Sequence, residues 1–220
     1  MSSMYDTIME LPLFKGIGEE QLSLMLEKTS MEFLKYEDGE TVYSQGKKVV
    51  SVDFILNGRL RQSYRLNHYP ITIDEIIGKG GVAGALNLYG MDTGYQSTGI
   101  AMGRLSLIRI GKAQYMNILQ SDPIYLLNFL NFLSAAAQKN MNLFMGIKVS
   151  GISRMLETLA YSVVSRQAEA VVLAASDEIL AEYCGVSLDE FSKWKQTELS
   201  HNRIITNSRG IILKSPHISR

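Results

Sequence analysis

Ser176-Asp177-Glu178-Ile179-Leu180-Ala181-Glu182-Tyr183-Cys184-Gly185-Val186-Ser187, continuing through Leu188 to about His201, decides how this chain is read. Ser176 and the acidic pair after it open a helix, and Ile179, Leu180, Tyr183 and Cys184 form its apolar stripe. Gly185-Val186 breaks that helix and Ser187 starts another. Downstream, Arg203-Ile204-Ile205-Thr206 turns through Asn207-Ser208-Arg209-Gly210 into Ile211-Ile212-Leu213. Two helices around a tight turn, then strand, turn and strand, is the order of a winged helix-turn-helix, whose second helix lies in the DNA major groove.

The stretch upstream reads differently. After a short helical lead-in, Met31 to Ile110 is a run of short alternating segments punctuated by glycine. Ser51–Leu56 and Arg59–Tyr64 flank Asn57-Gly58, the dipeptide of a two-residue hairpin, so a turn is expected there. Ile71–Ile77 and Leu105–Arg109 add strands, and the whole suggests an antiparallel roll. Beyond Pro123 the period becomes helical. Ile124, Leu127, Leu130, Leu133, Ala137, Met141 and Phe144 make one stripe, and Leu126, Phe129, Phe132, Ala136, Leu143 and Ile147 another. A helix apolar on two faces is covered twice, by its own roll and by a second subunit, or it is buried inside a monomer. Gly151 then reads as a hinge before the one-sided stripe Ile152, Met155, Leu156, Leu159, Ala160, Val163 and Val164. The fold class is therefore α+β: residues 1–121 an effector-binding antiparallel β-roll, 122–148 a long dimerisation helix, 149–220 the winged helix-turn-helix.

Composition narrows the function. The 220 residues are 46% hydrophobic and 20% charged, which suits folded domains with real cores. No apolar run reaches the roughly 18 residues of a membrane span, and Met1–Glu10 lacks the character of a secretory signal, so a cytoplasmic protein without membrane contact is expected. One cysteine, Cys184, excludes an intrachain disulfide and is expected to be buried. His68, His201 and His217 are scattered, so no metal site, cofactor or catalytic residue is expected. The 22 basic and 22 acidic residues cancel, and the part from Lys148 onward holds nine Lys/Arg against eight Asp/Glu. That counts mildly against nucleic acid, because phosphate neutralisation supplies most non-specific affinity.

Together these segments resemble the Crp/Fnr family of bacterial transcription regulators. The likeness is carried by Leu11-Pro12-Leu13-Phe14, Asp38-Gly39-Glu40, Gln45-Gly46, Asp53–Gly58, Ser153–Leu159 and Leu180–Ser187, and it covers nearly the whole chain. It implies a cyclic-nucleotide-binding-like roll, a homodimer, a small-molecule effector and binding to an inverted repeat in double-stranded promoter DNA, with RNA polymerase as a further partner. Members that bind cyclic AMP carry a Glu for the ribose and an Arg for the cyclic phosphate. Here Ala85 and Gln96 (or Tyr95) stand at those places, so an effector other than cyclic AMP, or none, is expected. Candidate effector contacts are Gly84, Ala85, Leu86, Gln96, Ser97 and Thr98, with Lys139 and Asn140 on the long helix; the alternative is a cassette kept only as scaffold. An effector between roll and long helix would re-aim the reading helices about Gly151.

On the reading helix Asp189, Lys193, Gln196 and Thr197 fall outward with Glu190 beside them, Ser187 and Ser192 are further candidate DNA contacts, and Leu188 stands where the family places an Arg reader. Lys193 suits guanine or phosphate, Gln196 adenine and Asp189 a cytosine amino group. Ser187 and Glu190 also fit a capping box. Arg203 and Arg209 flank the wing, as phosphate contacts or as solvated loop charges. Leu188, Phe191 and Leu199 are expected inward, with Lys195 and Glu198 beside them, either paired with each other or displaced by a rotated helix. Trp194 is expected to pack. The rival reading is a degenerate sensor of small molecules or proteins that does not read DNA.

Overall fold

The computed structural model describes residues 4–145, 151–165 and 168–213. His217, Ile147, the side chains of Leu143 and Phe144, and the ends of the expected long helix and carboxy-terminal domain lie outside the described residues. In chain order the elements are α1 (Met4–Met9), α2 (Glu19–Lys28), β1 (Glu32–Tyr36), β2 (Thr41–Tyr43), β3 (Ser51–Arg65), β4 (Thr72–Ile77), β5 (Val82–Ala83) and β6 (Thr98–Gly111). They continue with α3 (Lys112–Ser121), α4 (Pro123–Met145), α5 (Ile152–Val163), β7 (Ala168–Ala174), α6 (Asp177–Cys184), α7 (Leu188–Ser200), β8 (Ile204–Asn207) and β9 (Gly210–Leu213).

The chain divides into two compact units. The first comprises residues up to Leu60 and Gly78–Gln138. In it β6 lies between β1 and β3, antiparallel to β1 with Leu34 opposite Leu107, while β2 also pairs with β6 and β5 with β3. Alternation along β3 and β6 sends Phe54, Ile108 and Ile110 into an apolar cluster with Phe14, Leu22, Tyr115, Tyr125 and Phe129. The last two come from α4, so that helix does cover part of its surface with its own core. Leu127 and Leu130 on the same helix stay 56% and 48% exposed, and Leu126 is exposed as well.

The Asn57-Gly58 hairpin does not form. β3 runs unbroken through it for 15 residues, and only Gly58 of the pair has positive φ, at +85°. A type I′ turn needs positive φ at both central residues. Gly58 is instead a close-approach position: a Cβ there would stand 2.3 Å from the Arg104 carbonyl oxygen of β6. The chain reverses later, between Leu66 and Ile71, where the Leu66 N–H donates to the Ile71 carbonyl at 3.1 Å.

That displaced turn changes the domain division. Residues 61–77 were expected in the roll; they group instead with the described residues from Lys139 onward, as the second unit. Here β4 pairs antiparallel with β7, β7 with β9, and β9 with β8. The end of β3 and β4 thus form a ribbon that extends the small sheet of β7, β9 and β8. Its Ile71 and Ile73 enter the second core with Leu156, Leu159, Leu173, Leu180, Phe191 and Ile211. Cys184 is buried there, and burial pushes its thiol up to about 11. Phe191 is fully buried and packs at 5.1 Å from the Trp194 ring. Phe191→Ala should cost about 3–5 kcal/mol of stability, the usual loss for a buried aromatic. Urea unfolding followed by circular dichroism measures it.

Candidate functional site

The cassette of the first unit is built from β5, the left-handed Gly84, a 3-10 helix over Ala85–Asn87 and the loop into β6. The expected effector residues do not converge. Ala85 is buried in the apolar cluster, beside a cavity of about 10 Å³ that Phe54, Tyr115 and Phe129 also line. That space holds one water at most. Leu86 is exposed. Gln96 is exposed too, its amide donating to Asp92 Oδ2 at 2.8 Å and to the Gly94 carbonyl at 3.3 Å. Ser97 is buried, and Thr98 Oγ1 accepts from the Gln45 N–H at 3.1 Å. Lys139 belongs to the second unit, where its ammonium donates to the Val164 carbonyl, and Asn140 is exposed.

Other residues do converge in the first unit. Tyr95 stacks on Tyr43 with ring centroids 4.1 Å apart. Gly99 leaves room for the Tyr43 ring, which a Cβ would meet at 2.5 Å. Arg109 grips the buried Asp53 with two bonds, Nε–Oδ1 at 2.8 Å and Nη2–Oδ2 at 2.7 Å. Burial pushes the Asp53 carboxyl up while the guanidinium opposes it; Asp53 in turn raises Arg109. Burial, then the Asp53 charge, raises the Tyr95 hydroxyl. The sequence signal for this pair was present: Asp53 and Arg109 are lone charges inside otherwise apolar strand segments.

In the second unit α6 and α7 are capped as their sequence requires. Ser176 Oγ accepts from the Ile179 N–H at 3.5 Å, Gly185 ends α6 in the left-handed region, and Ser187 Oγ accepts from the Glu190 N–H at 3.2 Å. Ser187 is thus occupied as a cap. Asp189, Glu190, Lys193, Gln196 and Thr197 are exposed on α7, and Ser192 is half-buried. The inner face differs from expectation. Leu188 and Leu199 are 44% and 38% exposed, whereas Phe191 and Glu198 are buried. The helix is rotated so that its buried line runs through Phe191, Trp194 and Glu198. Trp194 Nε1 donates to Ser153 Oγ at 2.8 Å on α5.

That rotation works because the charges find partners, though not each other. Lys195 binds both Asp177 oxygens at 2.7 Å. Arg203 grips Glu198 at 2.6 Å through Nε and Nη2. Lys193 sits 2.6 Å from Asp189, and Arg209 Nε 2.7 Å from Asp74 Oδ2. Residues 168–213 contain four Lys/Arg, and each is ion-paired within the unit.

The ribbon supplies residues that the sequence reading missed. Asp74 and Glu75 are both fully buried, on opposite faces of β4. Glu75 Oε2 accepts from Gln62 at 2.9 Å and Tyr64 at 3.0 Å, and Oε1 from the Ser165 N–H at 2.7 Å and from the Ser165 hydroxyl. Burial nevertheless pushes the Glu75 carboxyl up. No metal-type cluster of His, Cys, Asp and Glu occurs among the described residues.

Comparison with known proteins agrees with this architecture. Residues 33–122 match the family model for the cyclic nucleotide-binding domain. The fold is shared with the c-di-GMP responsive global regulator CLP of Xanthomonas campestris, at 14% identity and TM-score 0.50, covering 84% of this chain and 94% of that one. It is shared with the sensor domain of the transcriptional regulator DNR of Pseudomonas aeruginosa, at 17% identity and TM-score 0.51 over 63% of this chain and 96% of that one. The amino-terminal domain of a transcriptional regulator from Streptomyces coelicolor A3(2) matches at 19% identity and TM-score 0.51, over 66% and 99% of the two chains. No curated protein matches the sequence.

The Arg203 guanidinium holds the Glu198 carboxyl below its ordinary value of 4.5. The pair therefore adds stability above that ordinary value and loses it as pH falls through the folded-state value. A carbon-detected NMR titration should find Glu198 below 4.5, and Arg203→Ala should move its midpoint up.

Proposed function

We propose that this chain is a DNA-binding transcriptional regulator of Crp/Fnr type, active as a homodimer and responsive to an effector other than cyclic AMP. The observation that carries the reading is α7: a capped helix whose Asp189, Lys193, Gln196 and Thr197 face solvent, in the same chain as a cyclic nucleotide-binding domain. Effector binding shifts the population between packings of the dimer and so changes how the two α7 helices are presented to an inverted repeat. Cyclic AMP is disfavoured because Ala85 is buried among apolar side chains and Gln96 is bound to Asp92. A cyclic phosphate there lacks a compensating cation at either position, a penalty of several kcal/mol for a buried charge.

Selection of genomic fragments on the purified protein tests the reading. A palindromic sequence should be enriched at about 50 mM salt, where phosphate contacts are strongest. Enrichment of none overturns it.

The dimer is supported by the exposed Leu126, Leu127 and Leu130 of α4. Paired leucines on a helix face favour association by removing apolar area from water, at about 25 cal/mol per Å². Leu127→Glu with Leu130→Glu should convert the dimer to monomer in sedimentation velocity and abolish enrichment of a palindrome.

A second reading, a sensor that does not read DNA, is favoured by the ion pairing of Lys193, Lys195, Arg203 and Arg209 within the unit. Absence of salt-dependent retention on non-specific DNA would select it.

A further inference from the structure

We infer that Asp74, on the β4 ribbon, is a positioning residue for DNA binding: it fixes the wing arginine, Arg209, so that the guanidinium's outer edge meets a backbone phosphate. The inference rests on the DNA-binding reading above and adds the residue that aims the wing.

Asp74 is fully buried, opposite Val172 of β7, and each of its oxygens has one donor. Ser63 Oγ donates to Oδ1 at 2.6 Å, and Arg209 Nε donates to Oδ2 at 2.7 Å. With Ser63 on Oδ1 and Arg209 Nε on Oδ2, the carboxylate takes one N–H of Arg209 instead of the two-bond grip seen at Asp53–Arg109 and Glu198–Arg203. The terminal nitrogens of Arg209 therefore keep their donors, and its side chain remains 42% exposed. Of the cations of residues 168–213, Lys195 has both carboxylate oxygens and Arg203 a two-bond partner, while Lys193 is in a solvent-exposed pair with Asp189 on its own helix. Arg209 differs in combining a rigid buried anchor with a free outer edge. The turn that carries it is also fixed: Asn207 Oδ1 accepts from the Arg209 N–H at 2.9 Å and the Gly210 N–H at 3.1 Å. A planar guanidinium held along one side and open along the other suits a phosphate oxygen.

The anchor comes from a ribbon whose first strand, β3, begins in the first unit. Covalent continuity therefore links that unit to the aim of the wing.

The test is binding of the full-length protein to a short random-sequence duplex and to a selected palindrome, across a salt series. A lost phosphate contact lowers the slope of log K against log salt by about one and weakens all sequences alike. Asp74→Asn should show that drop, and Asp74→Glu should recover part of it. Arg209→Lys keeps the charge but has one ammonium, which cannot serve Asp74 and a phosphate together; it should show the same drop, and it decides the matter if Asp74→Asn fails to fold. If Asp74→Asn and Arg209→Lys keep the wild-type slope, or bind more tightly, the positioning role is wrong while the DNA reading stands. If the wild-type protein shows no salt-dependent binding, the DNA reading fails and the inference falls with it.

Discussion

Two adjacent carboxylates on one short strand organise the second unit. Asp74 and Glu75 point to opposite faces of β4, and neither reaches solvent. Removing a carboxylate from water costs several kcal/mol unless donors and cations replace its hydration. Four side-chain or backbone donors converge on Glu75, and Ser63 with Arg209 serve Asp74. A slip of one residue in the β4–β7 register would turn each carboxylate to the opposite face of the sheet. The register of Asp74 opposite Val172 is thus specified by polar satisfaction as well as by Ile71 and Ile73 in the core.

The roll meets its polar requirements in a comparable way. Asp53 and Arg109 answer each other, and the Tyr43–Tyr95 stack lies over a glycine that no other residue could replace without displacing the ring. Ala85 is given over to an apolar contact and Gln96 to a surface hydrogen bond with Asp92, so each is already satisfied by its own neighbours.

Much of this was legible in the sequence where the causes are local. Ser176, Gly185 and Ser187 announced both helices of the turn, because caps and helix stops act within a few residues. Alternation announced the roll, and the stripes of α4 announced a helix with one face on its own core and leucines left over. What failed depended on partners distant in sequence. Asn57-Gly58 carries a turn signature, yet Gly58 is needed for its approach to Arg104 on β6, so the strand continues and the ribbon forms farther on. The rotation of α7 followed from pairs no periodicity reveals: Lys195 with Asp177, and Glu198 with Arg203. Asp74 and Glu75 were overlooked because consecutive acids in an alternating strand suggest an exposed face, whereas both faces of β4 are covered.

The charge balance of the chain looks different once these pairs are placed. A net charge of zero suggests a weak attraction for DNA, but attraction at contact depends on which cations are free to reorganise. Exposed pairs such as Lys193–Asp189 are worth little and exchange readily for a phosphate. Lys195 and Arg203, bound by both oxygens of a carboxylate, serve the packing of α7 instead. What the second unit presents outward is fixed by geometry: α7 is held by Phe191, and the β8–β9 turn by Asn207 and Asp74, so its donors point in set directions.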